Sequence, residues 1–209
     1  MERQASLAAV NAIELQRWSE AASLPIPNEK IMWQDPTYYA RAIGAARSGD
    51  ADAAQQNLAK LKESLAAMEA HRKMLGDQPD PTASVEQGEA EAWFFYVRGK
   101  TDDAVAAMRS AADREEKERA DPMSVPAREM LADLLLELKR PSEALTEYQA
   151  VLKDYPNRFD ALYGAARAAE ASGKPDLARG FYAKLVDVAG PGADRPELHR
   201  AQQYVAANH

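Results

Sequence analysis

The stretch PSEALTEYQAVLKDYPNRFDALYGAARAAEASGKPDLARGFYAKLV, residues 141–186, says nearly the same thing twice. Ala144, Tyr148 and Val151 are answered 34 residues later by Ala178, Tyr182 and Leu185. A period of this length constrains the fold more tightly than composition does. A unit so short has no core of its own, so it buries its apolar face only by stacking on the next unit.

Apolar residues recur at helical spacing along almost the whole chain, and the alternating β-branched runs of strands are missing, so the chain reads as all helical. Proline and glycine punctuate it at LPIPNEK (24–30), GDQPDP (76–81), ADPMSVP (120–126), DYPN (154–157) and AGPGADRP (189–196). Each interval is long enough for two antiparallel helices. The inner turns fall at Arg17-Trp18, Ser48-Gly49-Asp50, Arg98-Gly99-Lys100, Lys139-Arg140-Pro141 and Ser172-Gly173-Lys174. Aligned on these turns, Ala21, Ala54, Ala104, Ala144 and Ala178 share one position, in steps of 33, 50, 40 and 34 residues. The long second step is taken up by one charged helix, ADAAQQNLAKLKESLAAMEAHRKML, and the third by REEKER and the loop after it. Hairpins are therefore expected at about 1–24, 35–75, 82–119, 125–155 and 158–188, with a single helix at 195–208, in one domain. Leu198, Ala201, Tyr204 and Val205 would form the only apolar stripe of that last helix, the profile of a cap. At the other end, Leu7, Val10, Ile13, Leu15 and Trp18 make a first hairpin with no comparable polar cap. In the long helix, Leu58, Leu61, Leu65, Met68 and Leu75 are read as packing on neighbouring helices, with a self-association seam as the alternative.

These features resemble the tetratricopeptide repeat family of 34-residue helix-turn-helix units. Ala132 and Ala166 match the family's small residue in each first helix, Ala144 and Ala178 its small residue in each second helix. Tyr148 and Tyr182 match the large residue that follows, and Pro156 the closing proline. The match is best over about 126–190, fair over 87–112 and weakest over 1–60. Three departures affect curvature: no tryptophan opens a first helix, alanine replaces the mid-helix glycine, and Val151, Leu185 and Leu61 stand where alanine is usual. The resemblance implies an all-α, right-handed superhelical solenoid. Residues 125–170 also resemble the C-terminal repeats of longer bacterial proteins of this family, of undefined role.

The composition narrows the function. A formal net charge of −7, with both signs interspersed, argues against grip on a nucleic acid backbone, which needs a basic stripe. The absence of cysteine excludes disulfides, thiolate metal sites and thiol nucleophiles. No run of about 18 apolar residues occurs and the N-terminus lacks a signal-peptide core, so no membrane insertion is expected. As it stands the chain reads as cytoplasmic; a start upstream of Met1 with an export signal would make it periplasmic or secreted. His71, His199 and His209 have no second histidine at metal-ligand spacing. GPGAD (190–194) follows a helix, not a strand, and reads as a helix stop. Asp102-Asp103 and Glu115-Glu116 read as solvated helix ends, the former placed to favour a helix N-terminus. Nothing in the sequence points to paired carboxylates in a cleft. No catalytic residue, metal or cofactor is expected.

In the family the first helix of each hairpin lines a concave groove, and its stripes name candidate residues. They are Tyr39 and Arg47 beside Ile43, then Glu89, Trp93 and Tyr96, then Glu129 and Asp133 beside Leu136, then Tyr163, Arg167 and Glu170. Aromatics with arginine suit capture of a peptide or protein segment; the alternative is that Trp93 and Tyr163 only pack between repeats. Glu129 and Asp133 disfavour a lysine and asparagine clamp for a C-terminal carboxylate. The chain is thus expected to be a protein-binding scaffold. A homo-oligomer formed through the first hairpin or the long helix is the second reading, and an enzyme or small-ligand protein with a site across repeats the third.

Overall fold

A computed structural model describes residues 2–28, 30–118, 125–190 and 194–207, with side chains from residue 7 onward. Its regular structure among these residues is helical throughout. The order is α1 (Glu2–Glu14), α2 (Trp18–Ala22), a 3-10 turn (Ile31–Trp33), α3 (Asp35–Arg47), α4 (Ala51–Leu75), α5 (Pro81–Val97), α6 (Thr101–Glu118), α7 (Ala127–Glu137), α8 (Pro141–Asp154), α9 (Phe159–Ala171), α10 (Pro175–Ala189) and α11 (Pro196–Ala207). Consecutive helices pair into the expected hairpins, an α-solenoid arrangement of helix-turn-helix repeats. The prolines that punctuate the sequence start helices: Pro81, Pro141 and Pro175 sit in first turns, where a missing N–H is harmless.

Where the repeat pattern predicts one domain, the chain forms two compact units, Met1–Ala127 and Arg128–His209. The division falls just after the proline-containing break 120–126; residues 119–124 lie outside the described part. So do most of GPGAD, and His209.

A single backbone device sets the phase of every hairpin. Gln16, Gly49, Gly99, Lys139 and Gly173 all take left-handed φ values, from 51° to 86°. At each, the N–H of the next residue donates to the carbonyl five positions back, as Asp50 does to Ala45 and Arg140 to Leu135. This closes the first helix and reverses the chain. Five residues after each left-handed position stands the aligned alanine, and Ala21, Ala54, Ala104, Ala144 and Ala178 are all 0% exposed. In the first hairpin the reversal comes one residue earlier than expected, at Gln16, and α2 is only 5 residues long.

The closest helix crossings use glycine. A Cβ on Gly44 of α3 would stand 2.5 Å from the Ala22 nitrogen and 2.6 Å from the Trp18 carbonyl oxygen of α2, so α3 meets backbone there. A Cβ on Gly164 of α9 would overlap the hydroxyl end of the Tyr148 ring on α8. That ring cannot withdraw, because its hydroxyl donates to Asp133 Oδ1 on α7. Val151, Leu185 and Leu61 are all buried, so the larger residues at the family's alanine position are filled space.

Leu58, Leu61 and Leu65 of α4 are buried against the rest of the first unit, as the packing reading expects. In the first hairpin Ile13 is buried while Leu7 is 66% and Leu15 37% exposed. In the second unit α11 packs on α10 as a cap: Leu198 and Ala201 are buried and the Tyr204 ring lies 4.8 Å from that of Tyr182. Arg195 pairs with Asp160 at 2.8 Å and Arg200 with Glu170 at 3.1 Å, pinning the cap to α9.

Two substitutions test this account by urea unfolding. Gly164→Ala should cost about 3 kcal/mol, the upper range for overpacking a rigid site. Lys139→Gly should stabilise by up to about 1 kcal/mol, because it relieves a side chain held in the left-handed region.

Candidate partner-binding surfaces

In the first unit α3 is enclosed: it packs against α1, α2, α4 and α5, and Thr37–Ala46 is buried except for Arg41. Arg41 itself is tied inward, donating to Asn57 Oδ1 at 2.9 Å and to the Leu24 carbonyl at 2.6 Å. The stripe on α5 expected to face a groove is instead its contact with α3. Tyr39 donates its hydroxyl to Glu89 Oε2 at 2.7 Å, both residues 4% exposed or less. Arg47 places its guanidinium 4.8 Å from the Trp18 ring and 4.2 Å from the Trp93 ring, a cation between two indoles. Trp93 is 2% exposed and meets half-buried Tyr96 edge-on at 5.6 Å. Tyr39, Glu89 and Trp93 are therefore corrected from groove-lining to interior residues. The physical reason is that they fill the space between successive first helices. The packing alternative holds for Trp93.

Burial acts on this interior chemically. It holds the Glu89 carboxyl well above the usual carboxylate range and the Tyr39 hydroxyl well above its usual value, each also raised by neighbouring acids.

In the second unit Glu129 of α7 is also interior, 1% exposed, and accepts from Arg158 Nε at the start of α9. It too is corrected from the groove set: its carboxyl is spent in joining two helices. Burial pushes its carboxyl up to about 8 against the pull of Arg158. Asp133 is half-buried and receives the Tyr148 hydroxyl. α9 differs in exposure. Between Ala161 and Glu170 only Tyr163, Arg167 and Glu170 are not buried, at helical spacing along one face. Arg167 is exposed with its guanidinium 5.7 Å from the Tyr163 ring, and Glu170 accepts from Tyr182 and Arg200 at 3.2 and 3.1 Å.

One group of residues has no counterpart in the sequence reading. In the first unit Asp35, Asp80 and Glu86 line a cleft of about 540 Å³. Glu86 is 4% exposed, and burial, followed by the like charges of Asp35 and Asp80, pushes its carboxyl up to about 8. The signal available was the repeated Asp-Pro at 35–36 and 80–81, which opens both α3 and α5. His71, expected as a solvated histidine, is half-buried at the rim with its ring 6.1 Å from that of Trp33. Among the described residues no group of three His, Asp or Glu is placed to hold a metal ion.

The raised Glu86 value has a thermodynamic consequence. The folded chain keeps this proton where the unfolded chain, near the ordinary 4.5, has lost it. The stabilisation is complete below the unfolded value and is lost as pH rises towards 8. Unfolding measured across that window should show stability falling by a few kcal/mol, and Glu86→Gln should flatten the profile; equal slopes in the two proteins would contradict the burial of an acid there.

The family model described as Tetratricopeptide repeat matches residues 89–157 and 129–194, together just over half of the chain. No curated protein matches it. Among the described residues no helix is long and apolar enough to cross a membrane. The matched span covers the hairpins with the tightest 34-residue spacing, and its first segment begins within α5; the chain belongs to the tetratricopeptide repeat family.

Proposed function

We propose that this protein is a non-catalytic scaffold that holds a peptide or protein segment, and that in the second unit the segment lies along the α9 stripe of Tyr163, Arg167 and Glu170. The observation that carries the reading is the exposed Arg167 guanidinium beside the Tyr163 ring, on the face of α9 that the described residues leave open. Arginine and aromatic residues are enriched among the few residues that carry most of the binding energy at protein interfaces, through bidentate hydrogen bonds and apolar area. Stacked helical repeats supply extended surfaces for such contacts. The acidic net charge fits a protein partner rather than a nucleic acid. Asp133, half-buried on α7, is the acidic end of the same proposed surface.

Self-assembly through the first hairpin is the second reading, favoured by the exposure of Leu7 and Leu15. Light scattering over a concentration series separates the two, since a strictly monomeric chain ends obligate assembly.

Arg167→Glu, shown by circular dichroism to be folded, should lose partners captured by the wild type and bind a selected peptide about tenfold or more weakly. Undiminished binding would remove α9 from the site.

A further inference from the structure

The acidic cleft of the first unit is built from the 3-10 turn, the second half of α4, the loop 76–80 and the first turns of α5, with Asp35 at the start of α3. Five carboxylates line it, Asp35, Glu69, Asp77, Asp80 and Glu86, against one arginine, Arg72. That arginine is already engaged: it lies 3.6 Å from Asp80 Oδ2, and its Nε donates to the Gln78 carbonyl at 3.1 Å. Asp80 also caps α5, accepting from the Thr82 N–H at 3.0 Å. Glu86 is different in kind. It is almost fully buried, yet its Oε1 has no hydrogen-bond partner. A buried carboxyl oxygen without a donor, facing two further acids, is a costly arrangement that a cation would relieve.

The remaining walls decide which cation. Trp33, Leu65, Met68 and Leu75 are apolar and lie along the cleft. No three-ligand metal group exists among the described residues, so a coordination shell for a metal ion is not in place. A positive head to meet Glu86 and an aliphatic stem to cover the apolar wall describe one ligand chemistry.

We propose that this cleft binds an alkylammonium group, with the nitrogen between Glu86, Asp35 and Asp80 and the stem along Trp33, Leu65, Met68 and Leu75. The group belongs either to a lysine side chain of a protein or to a free polyamine. The site lies wholly in the first unit and does not depend on the α9 stripe. The other titratable groups facing it are Glu69, His71 and Arg72 from α4 and Asp77 from the loop. With its carboxyl raised to about 8, Glu86 is protonated in the free cleft at neutral pH. Binding therefore releases a proton, and affinity rises as pH increases towards that value.

The test is isothermal titration of the full chain with two probes: a blocked Gly-Gly-Lys-Gly-Gly peptide and spermidine. The norleucine analogue of the peptide serves as neutral control. At least one cationic probe should bind, with proton release seen as a dependence on buffer ionisation enthalpy, and norleucine should not. Glu86→Gln should weaken binding about tenfold or more, the scale of losing a hydrogen bond to a charged group. Glu63→Gln, on the exposed face of α4, should change nothing. Binding of the lysine peptide alone identifies a protein segment as the source; binding of spermidine identifies a polyamine. Failure of both probes, equal binding of norleucine, or undiminished binding to Glu86→Gln overturns the proposal. Should Glu86→Gln not fold, the wild-type Trp33 indole resonance decides: a shift on saturation supports the site, and an unmoved resonance overturns it.

Discussion

Neighbouring helices in this protein approach until backbone or ring meets backbone, and most of the architecture follows from that. Gly44 admits α2 onto α3, and Gly164 admits the Tyr148 ring onto α9. Five buried alanines mark the corresponding place in every hairpin. A left-handed residue five positions earlier fixes where each second helix begins, so the alanine always arrives in phase. Small residues alone would leave voids. Tyr148 and Tyr182, one turn after their alanines, fill the space beside the contact.

The cost of this close packing shows in the polar groups it traps. Glu89, Glu86 and Glu129 are all interior carboxyls, each resolved differently. Glu89 receives the Tyr39 hydroxyl, and Glu129 meets Arg158. Glu86 keeps one oxygen without a partner beside the cleft. Satisfied polar groups fix the register of the helices they join, because any slip would leave a buried charge or dipole unmatched. The one left unsatisfied marks a place where something else can bind.

The two units use their first helices differently. In the first, α3 is packed on all sides and the aromatic residues of α5 close over it, so the faces that would carry a ligand are spent on stability. Arg47 between Trp18 and Trp93 is an interior tie there. In the second, α9 keeps one polar stripe clear of its neighbours. The same kinds of residue, an arginine beside an aromatic ring, thus serve as core in one unit and as an open surface in the other.

The sequence by itself determined the helical class, the family and the phase of each repeat. These are local properties: periodicity, turn glycines and a small residue at a fixed distance from each turn are written along the chain. Tertiary structure decided the rest. α3 carries apolar or small residues nearly all round and α5 spreads its glutamates around its axis, so periodicity could not say which face meets water, and only packing made Tyr39, Glu89 and Trp93 interior. The cleft was beyond sequence reach for a related reason. The two Asp-Pro pairs are visible in the sequence, but the nearness of Asp35 and Asp80 to Glu86 exists only once α3, α4 and α5 are folded together.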